Sequence, residues 1–558
     1  MITRFAPIAD LFSEVAKKKP YDVAVVETYA TDQAGRRAYI HQTYEQMDKD
    51  SGRLAYGLAN LGLEKGERAV VMMRPSTDYF SLLLALFKLG VVPVYIDAGM
   101  ELANAGRCVA EAEPVALFAD EGIFSAAVML GWAKESIRLR VCVGSSAHSF
   151  GVSLSGIRDG VPEGTAFEPA AMKPEETGMI IYTSGSTGVA KGTVIPHSYL
   201  SGVVAGLDRS YRPANNESIL SPFPPFLLFN FGIGLKNVIP DMDAAQPAMA
   251  DPVRIIRQIE DMGLQFMFVT PAFMELLERK AAPAGLTFPS LRRVLWAGAP
   301  VHPSLLARFK RLMPNADLIC LYSATEASPI AMIESAEILE TADRTETGGG
   351  ICLGRIVPGL EVKIIAISDG PVANWDSSLE VRQGEIGEIC VRGTTVSPSY
   401  LHRPDATKMA KIADSRNGTF FHRMGDLGYL DEAGRLWFCG RKDHRVDTPG
   451  QILMSCACEG VFDAHPQVQR SGLAGVRQNG KNIPVLCVEP KYGKYDAEKL
   501  RMELLKLAQR HSATNKIETI LFHPRLPVDT RHNSKIVREK LASWAEKRLQ
   551  EETQCQLQ

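Results

Sequence analysis

The sequence predicts an α/β protein with a large N-terminal domain of α/β subdomains, a β-rich subdomain closing it, and a small C-terminal α+β domain. Three observations carry this. Short apolar runs alternate with helical patterns over roughly the first 170 residues, which indicates a largely parallel sheet covered by helices. Glycine-punctuated strands, Gly354–Gly359 and Gly384–Ile389, then open a β-rich stretch. Finally, 558 residues exceed what one core supports, and a Gly-Arg pair before a charged run at 440–443 marks a boundary, giving residues 1–440 and 441–558.

Composition narrows the function classes. With 46% hydrophobic and 23% charged residues, the chain reads as an ordinary soluble globular protein. A net charge of −2 points away from a nucleic-acid surface. Of the ten cysteines only Cys456 and Cys458 lie close together, with no second pair to complete a zinc site, so free thiols in a reducing cytoplasm are expected.

Taken in order, residues 1–20 read as an amphipathic helix rather than a cleaved leader. Ala24–Val26, Ala69–Met72, Pro93–Ile96 and Val141–Val143 read as strands. The most apolar run, Tyr79–Ile96, is interrupted by Lys88, Gly90 and Pro93; it predicts a buried helix, a turn and a strand, and no integral membrane segment. Met179–Tyr182 is a further short buried strand. It leads into Thr183-Ser184-Gly185-Ser186-Thr187-Gly188-Val189-Ala190-Lys191-Gly192. Glycines let backbone N–H groups approach a ligand, Ser and Thr add hydroxyl donors, and Lys191 adds a positive charge. A donor-rich tight loop with a cation suits a polyphosphate. The glycine spacing is not that of GxxxxGK[ST], so this is a different phosphate loop.

Ser221–Gly232, SPFPPFLLFNFG, reads as a proline-rich core loop or as the wall of an apolar substrate pocket. Met267–Pro271 and Leu291–Pro300 are strands ending in small residues, the second in Ala297-Gly298-Ala299-Pro300. Leu321-Tyr322-Ser323-Ala324-Thr325-Glu326 sets an aromatic, a hydroxyl and a carboxylate in one short run. Met424-Gly425-Asp426 and Gly440-Arg441-Lys442-Asp443 follow, then Leu526–Ile536 with Lys535 near the chain end.

Six such motifs in this order resemble the acid-adenylating superfamily of acyl-CoA synthetases, luciferases and peptide-synthetase adenylation domains, over most of the chain. The resemblance implies an AMP-forming ligase using ATP and Mg²⁺. It implies that Thr183, Ser184, Gly185, Ser186, Thr187, Gly188 and Lys191 cradle phosphates and that Gly298 and Ala299 border adenine. By the same resemblance Tyr322 stacks on adenine, Thr325 reaches phosphate, Glu326 holds the metal, Asp426 accepts from ribose hydroxyls, and Arg441 contacts ribose or phosphate. Lys535 falls on the catalytic lysine, and the small domain is implied to be mobile about Asp443. Asp447 stands where the thioester-forming members carry Lys, and a carboxylate beside a phosphate-rich CoA tail is unfavourable.

The segment Arg531–Ile536 and FPPFLLFN are similar to the β-lactone synthetases of bacterial long-chain olefin biosynthesis. That subgroup implies a cytoplasmic enzyme that activates a long-chain 2-alkyl-3-hydroxy acid and closes it to a β-lactone, beside a thiolase, a reductase and a decarboxylase. A fatty acyl-CoA ligase, a fatty acyl-AMP ligase and a non-catalytic nucleotide binder are the alternatives. His197 and His532 are candidate bases for the closing step, each also readable as a structural histidine.

Overall fold

In a computed structural model of the chain, the described residues are 5–557 apart from 33–35, 98, 145–151, 184–189, 215, 300, 302, 479–480, 492, 494 and 529–534. The strand and helix alternation of the first half builds a seven-stranded sheet. Its order runs Ser399–Tyr400, Lys191–Pro196, Thr177–Thr183, Val92–Ile96, Arg68–Met72, Ala116–Asp120, Leu139–Val143. The last five strands pair in parallel, whereas Thr177–Thr183 and Lys191–Pro196 form an antiparallel hairpin. The apolar run behaves as expected. Thr77–Leu89 is a helix whose residues from Tyr79 onward are all buried; Ser76 caps its start by accepting from the Tyr79 N–H, and Gly90 ends it in the left-handed region. Each fully buried Leu or Phe there contributes on the order of 2 kcal/mol of apolar burial.

A fourteen-stranded sheet carries the rest of the large domain. It joins parallel strands such as Phe266–Val269 and Arg293–Trp296 to the antiparallel strands of the β-rich stretch. One sequence expectation is corrected here. The first apolar run, Val23–Thr31, does not enter the N-terminal sheet; it pairs in parallel with Lys236–Val238 and so belongs to the other sheet. Periodicity identifies a strand but not its neighbour, which is set by contacts some two hundred residues away. A second difference concerns the proline-rich segment. Pro224–Phe231 is a helix, with proline in its first turn, where a missing N–H costs nothing.

The small domain contains a three-stranded sheet, Val468–Gln478, Lys481–Pro490 and Thr519–Phe522, with the helices Ser455–Asp463, Ala497–Gln509 and Arg538–Leu557. Its helix Ser455–Asp463 packs directly on the large domain. A Cβ on Gly440 would lie 2.4 Å from the Ser455 hydroxyl, and one on Gly460 would lie 2.7 Å from the Thr345 carbonyl, so the seam requires glycine at both positions. Nine described cysteines are free thiols, eight of them buried. Among the described residues no helix is long and apolar enough to cross a membrane.

Candidate active site

The two domains and both large sheets meet at a cavity of about 1710 Å³. Of the residues singled out from sequence, Lys191, Gly298, Ala299, Tyr322, Thr325, Glu326, Asp426, Arg441 and Lys535 all line it. They come from six separate stretches of chain and are brought together only by the fold. Ser184, Gly185, Ser186, Thr187 and Gly188 lie outside the described residues, as do the side chain of Thr183 and all of His532. The ends of the loop are fixed nonetheless, because Thr183 pairs with Lys191 across the hairpin. Gly192 follows; a Cβ there would meet the Tyr182 ring at 2.7 Å.

Asp426 and Arg441 are direct partners on adjacent antiparallel strands, Thr419–Leu430 and Arg435–Arg441. Their register places the guanidinium 3.1 Å from Asp426 Oδ1. The Tyr322 hydroxyl donates to Asp426 Oδ2 at 2.5 Å. Asp426 is 4% exposed, and among the described residues its Oδ1 accepts no hydrogen bond and is held only by the Arg441 ion pair. A buried carboxylate oxygen without a donor is costly unless a ligand supplies one, so this atom fits a sugar hydroxyl. Burial pushes the Asp426 carboxyl up from its usual range, while Arg441, Tyr322 and Lys535 pull it back. That last influence places the Lys535 ammonium in the same electrostatic corner.

Thr325 and Glu326 occupy the turn between the antiparallel strands Asp317–Ala324 and Ala327–Glu334. The Thr325 carbonyl accepts from the Tyr199 hydroxyl at 3.1 Å. Glu326 Oε1 accepts from the Tyr400 hydroxyl at 2.8 Å. Among the described residues no group of three or more His, Cys, Asp or Glu side chains could hold a metal by itself. A single carboxylate is nevertheless the donor set expected where phosphate oxygens and water complete an Mg²⁺ shell, so Glu326 fits that ion. Gly298 sits at φ 94°, a left-handed conformation open to glycine, where the strand Arg293–Trp296 has just ended.

Part of the cavity wall is apolar. Phe223, Phe226, Phe229 and Phe268 line it together with Val203 and Leu207. The Phe226 and Phe268 rings stack at 3.7 Å with planes 9° apart. Asn230, the polar residue of that segment, turns away; it is fully buried and donates to Asn237 Oδ1 at 3.2 Å.

The structure removes His197 as a candidate base. It begins the helix His197–Tyr211, is 2% exposed, faces the Phe87 ring and does not line the cavity. Burial lowers its pKa to about 4, so it is a neutral core histidine. Tyr400, Lys411 and His422 were not legible from sequence as site residues. Tyr400 and His422 line the cavity, and Lys411 is the cross-strand partner of His422. Burial lowers the Lys411 ammonium to about 7 and keeps His422 neutral.

Asp447 has a local role. It lies on the hairpin Val446–Thr448 and Gln451–Leu453, where Arg445 Nε approaches its carboxylate at 3.3 Å. The same guanidinium reaches Asp369 of the large domain at 2.7 Å.

Residues 12–401 match the family model described as AMP-binding enzyme. The chain is 40% identical over 550 residues to an olefin beta-lactone synthetase of Stenotrophomonas maltophilia, covering 97% of this chain and 98% of the relative. It is 39% identical to an olefin beta-lactone synthetase of Xanthomonas campestris, covering 98% of each. Among solved structures, an amide bond synthetase from Marinactinospora thermotolerans superposes with a TM-score of 0.78 at 22% identity, over 96% of this chain and 99% of that one. That likeness is one of fold.

Proposed function

The chain belongs to the AMP-binding enzyme family as an adenylating, ligase-type enzyme, and on that premise we propose that it activates a long-chain 2-alkyl-3-hydroxy acid with ATP and closes the acyl-adenylate to a β-lactone. The observation that carries this reading is the near-full-length identity of about 40% to olefin beta-lactone synthetases. The cavity supports it, joining a wall of four phenylalanines to the Tyr322, Asp426, Glu326 and Lys535 corner.

A carboxylate is a poor electrophile until its oxygen becomes part of a leaving group. In the first step a substrate carboxylate oxygen bonds to the α-phosphorus of ATP and pyrophosphate departs. Negative charge gathers on the phosphoryl oxygens, so catalysis is positioning and charge stabilisation. Asp426 orients the sugar through Oδ1, the oxygen beside Arg441. Lys535 supplies positive charge at the reacting phosphoryl group, and Lys191 holds the departing phosphates. A magnesium ion held by Glu326 would neutralise phosphate charge. In the second step the β-hydroxyl oxygen bonds to the acyl carbon, the acyl–phosphate bond breaks, and AMP leaves with one proton released. An internal hydroxyl can act at an effective concentration of about 10⁵–10⁸ M, less what ring strain removes. No thiol has to enter, which agrees with the Asp447 carboxylate on the hairpin where thioester-forming members carry Lys. The boundary at residues 440 and 441, with the small domain turning near Asp443, is part of the same proposal.

The test is product analysis by NMR and mass spectrometry after incubation with ATP, Mg²⁺ and a 2-alkyl-3-hydroxy fatty acid, with and without CoA. A β-lactone formed without CoA supports the reading. A thioester formed only with CoA replaces it with an acyl-CoA ligase.

A further inference from the structure

Lys191 and Glu326 must be held in fixed relation if one contacts departing phosphates and the other their metal, yet they belong to different sheets. Lys191 starts a strand of the seven-stranded sheet, and Glu326 lies at a turn of the fourteen-stranded sheet. The segment 395–401 is hydrogen-bonded to both. On one side Ser399 pairs with Val194 and Tyr400 with Thr193, and the Leu401 N–H donates to the Gly192 carbonyl at 2.8 Å. On the other side the Ser397 N–H donates to the Glu326 carbonyl at 2.7 Å, the Ser328 N–H to the Thr395 carbonyl at 3.2 Å, and Val396 bridges Ala327. The Lys411 ammonium anchors the Ser397 carbonyl from behind.

Tyr400 completes this arrangement with its side chain. Its hydroxyl donates to Glu326 Oε1 at 2.8 Å, and the Lys191 ammonium lies over its ring at 5.3 Å. A single residue therefore touches both groups. Occupying Oε1 directs a cation to the other oxygen, Oε2, and so selects which face of the carboxylate it meets. A cation over an aromatic face is held there by the ring quadrupole.

We propose that Tyr400 is a positioning residue: its hydroxyl presents Glu326 to the metal through one oxygen, and its ring sets the Lys191 ammonium beside it. This rests on the reading of Glu326 as a metal ligand. Sites of this kind work when supporting hydrogen bonds hold the ligating groups in place.

The experiment compares wild type with Tyr400→Phe and Tyr400→Leu, each checked for folding by circular dichroism. Mn²⁺ binding to the protein in the presence of a non-hydrolysable ATP analogue is titrated by electron paramagnetic resonance. Analogue binding without metal is measured by calorimetry. Tyr400→Phe keeps the ring and loses one hydrogen bond to a charged group, so Mn²⁺ affinity should fall about tenfold while metal-free analogue affinity stays within twofold. Tyr400→Leu should weaken both. Mn²⁺ affinity of Tyr400→Phe within twofold of wild type overturns the proposal while leaving adenylation standing. A wild-type protein that binds no Mn²⁺ with the analogue overturns both.

Discussion

Asp426→Asn removes one charge and little volume, and its effect can be worked from the contacts. The native carboxylate is 4% exposed, accepts from Tyr322 at 2.5 Å on Oδ2 and faces Arg441 at 3.1 Å on Oδ1, which accepts no hydrogen bond among the described residues. In the amide one oxygen can still accept from Tyr322. The other position becomes an NH₂ that faces the Arg441 guanidinium and cannot accept from a ribose hydroxyl. A hydrogen bond to a charged acceptor contributes about 1.5–3 kcal/mol, which corresponds to about 10–150-fold in nucleotide affinity. The partners of Asp426, Tyr322 and Arg441, are not part of the apolar wall, so the KM for the acid should be nearly unchanged. Initial rates of pyrophosphate release against ATP concentration, at saturating acid, give the comparison. A KM for ATP within twofold of wild type, or an equal rise in the KM for the acid, would refute the placement of the nucleotide on Asp426.

Other outcomes follow from the same geometry. Lys535→Ala should lower the adenylation rate by about 10²–10³-fold, the magnitude of losing one preorganised charge partner, with ATP-analogue affinity within a few-fold; stopped-flow pyrophosphate release reads it. Phe268→Ala removes the ring stacked on Phe226 and deepens the apolar part of the cavity. The acid giving the highest kcat/KM in a homologous series should then shift to a longer chain, and an unshifted optimum would place the acyl group elsewhere. His197 titrates near pH 4 in the folded chain against 6.5 for the free group. The unfolded chain therefore binds more protons between these values, and stability due to this residue rises with pH across that window and is lost as pH falls from 6.5 to 4. The ceiling is roughly 3 kcal/mol. Asp463, raised to about 7 by burial, has the opposite slope, so the reading is the stability of His197→Phe minus wild type at each pH. That difference should grow in favour of the variant below pH 6 in urea unfolding; a pH-independent difference would contradict a neutral His197.

How much of this was legible in the sequence depends on whether a feature is local. The buried helix Thr77–Leu89 carries its own cap, periodicity and terminating glycine, and it formed where expected. The motif residues Tyr322, Glu326, Asp426 and Arg441 were likewise legible, because each stands in a short pattern whose residue types match its surroundings. Strand Val23–Thr31 was visible as a strand but not as a member of the second sheet, since its partner Lys236–Val238 is distant in sequence. Tyr400 was invisible for a related reason. Nothing in VSPSYLHRP marks a polar role, and its two partners, Lys191 and Glu326, are joined to it only by sheet register. His197, one residue beyond the end of its strand, was readable as a base or as a structural histidine, and its packing beside Phe87 and Gly178 bears out the second.

The central claim, activation of the carboxyl group followed by closure through the β-oxygen, is tested most directly by isotope transfer. The 2-alkyl-3-hydroxy acid is labelled with ¹⁸O in both carboxyl oxygens and converted with ATP, and both products are read by mass spectrometry. The account predicts one ¹⁸O in the AMP and one in the lactone carbonyl, with the unlabelled β-oxygen retained in the ring. Unlabelled AMP alongside a lactone bearing both ¹⁸O atoms would mean that the hydroxyl, not the carboxyl, had been activated, and would contradict it.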